Sequence, residues 1–335
     1  MTNARTFLCA ALLPLALAGP GCGSRTDSPD AGKAGALKVG MMPKLVGIPY
    51  FNACREGAEE AARELGVDLI YDGPITADAA RQREMVNSWI LKGYAAIAVA
   101  PNNPEAIAPV LKKARERGVR VVTWDTDAVP EARECFCNQV GYADMARALV
   151  DIISEEIGGS GRVALISGTE TAANQNTWMR LMRAYAAEKH PGVTFIEPVE
   201  YPGEEHARAY QSAQGLLKRP DPPAGIIGMT TVSAPAAAKA VFDAGLSGKV
   251  AVTGITLPSL LKEYVKNGTV KRFVLWDPKD FGYLTVYATK RLCEGGLGKG
   301  EVHAGRLGKL PVKDGEIVLG PPLIFSASNI EKYDF

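Results

Sequence analysis

Residues 37–73 read LKVGMMPKLVGIPYFNACREGAEEAARELGVDLIYDG, and they hold one complete unit of the fold. Leu37–Met41 is a short, nearly continuous apolar run, as a parallel strand covered on both faces requires. Asn52–Leu65 places Cys54, Ala58, Ala61 and Leu65 on one stripe at helical spacing. Gly66 stops that helix, and Val67–Tyr71 starts a second apolar strand at once. A helix that ends in Gly and runs straight into an apolar strand marks successive βαβ units. The unit repeats downstream as Asp78–Lys92, Gly93 and Ala95–Ala100, then as Pro104–Arg117, Gly118 and Val119–Trp124.

A second series begins near Asn138, with helices predicted over Tyr142–Ile157, Gln175–Lys189, His206–Lys218, Ser233–Ala244 and Pro258–Asn267. Between them lie strands at Val163–Ser167, Val193–Pro198, Gly225–Met229 and Val250–Ile255. Val270–Leu275 closes the set and a helix at Phe281–Cys293 follows. About ten strands are too many for one compact sheet covered by helices on both faces. The expected fold is therefore α/β, with two doubly wound parallel-sheet lobes joined by crossings near Asn138 and Trp276. The N-terminal lobe is expected over 37–137 plus 279–298, and the C-terminal lobe over 138–278 plus 299–335.

The first residues read as an export signal over 1–21. Arg5 precedes an apolar run, Phe7–Ala18, which is too short to span a bilayer but has the length of a signal core. Gly19-Pro20-Gly21-Cys22 resembles a lipobox, in which Cys22 becomes the lipidated mature N-terminus. Residues 22–36 then form a polar, flexible tether. A periplasmic or cell-envelope location follows, with the membrane met only through the lipid. Lys and Arg number 38 against 37 Asp and Glu, so the basic excess of a nucleic-acid binder is missing. Cys54, Cys135, Cys137 and Cys293 contain no CxxC and no His at ligand spacing, which argues against zinc; an oxidising compartment permits a disulfide among them without fixing its pairing.

In open α/β sheets the ligand sits beyond the carboxyl ends of the strands. Those ends carry Pro43-Lys44, Asn102-Asn103 and Trp124-Asp125-Thr126-Asp127 in the first lobe. In the second they carry Thr169–Asn176, Thr230–Pro235, Thr256–Pro258 and Trp276-Asp277. Amides, carboxylates, one lysine and hydroxyls converge there, with Trp276, Tyr50 and Phe51 to cover an apolar ring face. That mixture suits a neutral polyol. Catalytic readings fare worse. No glycine triplet follows the first strand, Gly158–Gly161 precedes a strand instead of opening a helix, and neither GxSxG nor HExxH occurs. Asp125 and Asp127 lack a third acidic ligand or a His, so they read as a hydroxyl acceptor and a solvated loop aspartate. No cofactor, metal or catalytic residue is expected.

Taken together, Pro43-Lys44-Leu45-Val46-Gly47, Tyr71-Asp72-Gly73-Pro74, Val122-Thr123-Trp124-Asp125, Asn174-Gln175-Asn176, Leu275-Trp276-Asp277 and the ending Asn329–Phe335 carry a family resemblance. The chain resembles a periplasmic-binding-protein-like domain of the ribose-binding type, the solute receptor of a bacterial ABC importer. It is most similar to the rhamnose-binding and autoinducer-2-binding groups. The resemblance implies a monomeric binding protein and no enzyme, with a small sugar-like ligand and an ABC permease as partners. Lys44, Asp125, Gln175, Pro235 and Ala237 fall on the autoinducer-2 receptors' ligand positions. Asn174 stands where those receptors carry an aspartate, and Thr171–Asn176 with Gly305–Gly308 look more like the rhamnose receptors. The expected site is thus Lys44, Tyr50, Phe51, Asp125, Asn174, Gln175, Pro235, Ala237, Trp276 and Asp277. Asn174, able to donate as well as accept, is expected to face the ligand and to favour a pyranose.

Overall fold

Strand β1 (Leu37–Met42) buries Val39 through Met42 without a break, because both faces of its sheet are covered. The computed structural model describes residues 36–297 and 300–335; the signal 1–21, the tether and Cys22 lie outside the described residues. Helix α1 (Pro49–Leu65) opens with Pro49 in the first turn and ends at Gly66, whose φ of 64° and N–H bond to Ala62 O close the last turn. Then come β2 (Val67–Tyr71), α2 (Ala79–Leu91), β3 (Ala96–Val99), α3 (Pro104–Glu116), β4 (Arg120–Trp124) and β5 (Cys135–Asn138). Asp78 and Asn103 cap α2 and α3, each accepting from two backbone N–H groups of the first turn. All pairings among β1 to β5 are parallel.

The second series holds α4 (Tyr142–Glu156), β6 (Gly161–Ile166), α5 (Ala173–Lys189), β7 (Val193–Phe195), α6 (His206–Leu217) and β8 (Gly225–Gly228). It continues through α7 (Ser233–Asp243), β9 (Ala251–Gly254), α8 (Pro258–Lys266) and β10 (Arg272–Leu275). Its sheet runs β7-β6-β8-β9 in parallel, and a bridge between Ile255 and Val274 continues it to β10. Helix α9 (Pro278–Cys293) then returns to the first lobe and lies against α1. The two backbones touch, since a Cβ on Gly57 would fall 1.8 Å from Lys279 O and one on Gly282 would fall 1.8 Å from Cys54 O. Only glycine permits that approach.

The tail departs from expectation. Residues 299–335 were expected together in the C-terminal lobe, yet β11 (Glu301–His303), β12 (Lys309–Lys313) and β13 (Glu316–Val318) extend the first sheet. Its order is β11-β12-β13-β5-β4-β3-β1-β2, with β13 parallel to β5. Strand β14 (Leu323–Ser326) alone goes back, antiparallel to β10. The sequence hides this because β12, the second strand from the edge, reads Lys-Leu-Pro-Val-Lys, half exposed and with no apolar run to announce it. The chain thus passes between the lobes three times. Cys54, Cys135, Cys137 and Cys293 are free thiols, so the disulfide left open by the sequence does not form.

Candidate functional site

The carboxyl ends of β1, β4, β8 and β10 and the starts of α1 and α5 meet at one cavity between the lobes. Its lining holds Lys44, Tyr50, Phe51, Asp125, Asn174, Gln175 and Trp276, and it encloses about 430 Å3 of empty space, mouth included. The loops that carry these residues are held from behind. Gln82 of α2, fully buried, donates to Pro43 O (3.2 Å) and Ala100 O (2.8 Å) and accepts from Asn102 N (2.9 Å). Asn102 in turn donates to Lys44 O at 2.8 Å. The β1 and β3 loops are therefore one hydrogen-bonded unit.

Asp125 is aimed by its backbone. Its φ is 62°, and Thr126 N donates to Trp124 O at 2.6 Å, which makes a three-residue γ-turn. Such a turn is strained for a residue with a side chain, and strain of this kind gathers where geometry serves a site. The carboxylate is 4% exposed and carries a compact network. Lys44 Nζ lies 3.1 Å from Oδ2, and Tyr50 OH donates to Oδ1 at 3.0 Å. Trp276 Nε1 donates to Tyr50 OH at 3.1 Å. Burial pushes the Tyr50 phenol well above its ordinary pKa, with the neighbouring Cys54 and Asp125 adding to it, so Tyr50 remains a donor. The Cys54 thiol is pushed up in the same way, first by burial and then by Asp125, which leaves it protonated and inert as a nucleophile.

Asn174 spans the cleft. Its Oδ1 accepts from Lys44 Nζ at 3.1 Å and its Nδ2 donates to Asp125 O at 3.2 Å. The expected ligand-facing amide is thus engaged with the opposite lobe at both ends. Gln175 Oε1 accepts from Ser167 Oγ (2.7 Å) and Gly168 N (2.8 Å), fixing the loop between β6 and α5. The aromatic wall is continuous: Tyr50 meets Phe51 at 4.9 Å and Trp276 at 5.7 Å between centroids, and Trp178 meets Trp276 at 6.1 Å.

Three expected site residues are placed elsewhere. Pro235 and Ala237 are buried in the first turns of α7 and do not line the cavity. Asp277 caps α9, accepting from Lys279 N (2.8 Å) and Asp280 N (3.0 Å). Asp127, read as a solvated loop aspartate, is paired with Arg133 at 2.9 Å. The sequence reading missed Trp178 and Glu204, which both line the cavity. Trp178 sits on α5 where a core aromatic is ordinary, and Glu204 lies in the Tyr201-Pro202-Gly203-Glu204 loop, away from any strand end. Burial raises the Glu204 carboxyl pKa, against the pull of Lys44. Among the described residues no cluster of three or more His, Cys, Asp or Glu side chains could hold a metal.

Residues 39–297 match the model of a family described as periplasmic binding protein domain. A solved structure of a sugar ABC transporter from Actinomyces odontolyticus ATCC 17982 is 36% identical, with a TM-score of 0.72 over 89% of this chain and 97% of that one. An ABC transporter solute-binding protein from Clostridium phytofermentas, solved with bound L-rhamnose, is 31% identical, with a TM-score of 0.84 over 89% and 98%. The D-allose-binding periplasmic protein of Escherichia coli (strain K12) is 25% identical over 74% of this chain and 81% of its own. The parallel strands at the heart of each lobe, the interlobe cavity and these matches agree, and the chain belongs to the periplasmic binding protein domain family, its relatives here being sugar receptors of ABC transporters and not enzymes.

Proposed function

We propose that this protein is the extracytoplasmic sugar receptor of an ABC importer, closing two lobes over a neutral deoxyhexose of the L-rhamnose kind. The cavity carries the reading: a buried carboxylate fixed by Lys44 and Tyr50, facing an aromatic wall, matches the hydroxylated edge and apolar face of a sugar ring. The 31% identical relative with bound L-rhamnose supports that sugar over other neutral ones. Autoinducer-2 is the second reading. Asn174 does not decide between the two, because its amide is engaged with Lys44 and Asp125 across the cleft; the choice of L-rhamnose rests on the 31% identical relative.

The lobes divide the chain near Asn138 and at the start of α9, the receptor works as a monomer, and a permease in the membrane receives the sugar. Cys22 is its lipidated N-terminus; intact mass of the mature protein starting at another residue would sink that part. Thermal melting against a sugar panel, followed by calorimetry with L-rhamnose and autoinducer-2, tests the ligand. At a hundredfold excess over Kd, binding stabilises by about 2.7 kcal/mol, so L-rhamnose should raise Tm by several degrees. Tighter binding of autoinducer-2 overturns the sugar assignment.

A further inference from the structure

Two buried polar atoms of the cavity wall have no partner within the protein: Glu204 Oε2, an acceptor, and Trp178 Nε1, a donor. Folded proteins rarely keep such atoms unless a ligand or water completes them. Three further observations show that the Glu204 position is built. Its backbone has a φ of 62°, a left-handed conformation uncommon for glutamate. A Cβ on Gly168 would fall 2.3 Å from Glu204 Oε1, so a glycine leaves room for the carboxyl. Lys44, the one cation of the lining, is already 3.1 Å from Asp125, and Glu204 therefore adds an unmatched negative charge when ionised.

We infer that Glu204 and Trp178 are the specificity-determining polar pair of the C-terminal wall, Glu204 accepting the proton of a ligand hydroxyl and Trp178 Nε1 donating to a ligand oxygen. This rests on reading the cleft as a sugar site, and it narrows the ligand class to neutral polyols. Uronates, aldonates and sugar phosphates are rejected, because their charge meets the Glu204 carboxylate with no free cation beside it. A ligand lacking the hydroxyl that reaches Glu204 leaves that carboxylate unpaired in a closed cleft and is rejected too.

The test is calorimetry on the wild type, Glu204→Gln and Trp178→Phe with L-rhamnose, D-allose, D-ribose and D-galacturonate, together with melting of each free protein at pH 8. The neutral sugar that binds the wild type should lose about tenfold in affinity in Glu204→Gln and about fivefold in Trp178→Phe, while D-galacturonate fails to bind the wild type. Free Glu204→Gln should melt no lower than the wild type, since the Oε2 that the change replaces has no hydrogen-bond partner in the protein; a carboxyl with a purely structural role would give a lower melting point. If D-allose or D-ribose binds and L-rhamnose does not, the rhamnose assignment falls and the pair is judged on the sugar that binds. If none binds, the melting comparison decides. Affinity within twofold in both variants, uronate binding by the wild type, or a lower melting point for free Glu204→Gln overturns the inference.

Discussion

On the N-terminal wall of the cleft the polar groups answer one another: Lys44 to Asp125, Tyr50 to Asp125, Gln82 and Asn102 to the loops behind. On the C-terminal wall Glu204 Oε2 and Trp178 Nε1 answer nothing in the protein. The first wall is preorganised, so a ligand meets it without the cost of ordering loose side chains. The second is completed only by what lies in the cleft. A sugar seated on the finished wall and satisfying the unfinished one would favour the closed arrangement through its differential contacts, which is what a hinged receptor needs.

The largest effect should come from breaking the finished wall. Asp125→Ala leaves the Lys44 charge, at 7% exposure, without its carboxylate and held only by the Asn174 amide oxygen, and puts alanine at a positive φ. Removing one partner of a buried pair costs about 3–5 kcal/mol, so denaturant unfolding should show a marked loss and sugar affinity should fall at least tenfold. Asp125→Asn, whose side chain tolerates the left-handed turn, should retain more stability while still losing about tenfold in affinity. Unchanged affinity in both would mean that the cleft is misplaced.

Asn174 is where the walls meet. Asn174→Asp removes the donor to Asp125 O and sets a second carboxylate near the first. A loss on the order of 1–2 kcal/mol in L-rhamnose binding is expected, read by calorimetry. Small-angle scattering should also show a larger radius for the variant than for the wild type at equal sugar occupancy. An identical radius and affinity would remove Asn174 from the interlobe contact.

Glu156 supplies a control for Glu204. It too is a buried acid of the second lobe with an oxygen lacking a hydrogen-bond partner, but it lies outside the cleft. Burial raises its pKa from 4.5 to about 7, against the nearby Arg272. A raised carboxyl contributes stability in full below about pH 4.5, and that contribution is lost as pH climbs through about 7. Tm should therefore fall between about pH 4.5 and 7 and level off above that, and Glu156→Gln should flatten the fall without touching sugar affinity. A steeper fall in the variant would contradict this. The smallest effect is reserved for Asp277: Asp277→Ala should cost about 1 kcal/mol through the lost cap of α9, with affinity unchanged. A tenfold affinity loss would return it to the site.

Much of this was legible in sequence where the signal was local. Runs such as Leu37–Met42 and Gly stops such as Gly66 encode strand and helix ends in a few residues, so the parallel sheets and most helices could be read directly. Asp125 and Lys44 were reachable because they stand just after apolar strands, and Asn174 through the Asn174-Gln175-Asn176 motif of the resemblance. The rest depends on distant pairing. The β12 strand carries no apolar run, and its link to β5 through β13 is set by contacts nearly two hundred residues apart. Glu204 reaches the cleft through a left-handed turn in a Pro-Gly loop, which no periodicity marks. Pro235 and Ala237 followed a resemblance, and the packing of α7 buries them.

The contrast between the walls is tested most directly by a crystal structure of the complex with whichever neutral sugar raises Tm most. The account predicts a ring against the aromatic wall, one hydroxyl within about 3 Å of the Asp125 carboxylate and another within about 3 Å of Glu204, with the Lys44–Asp125 pair undisturbed. A sugar held by the N-terminal wall alone, with Glu204 and Trp178 turned to water, would contradict it.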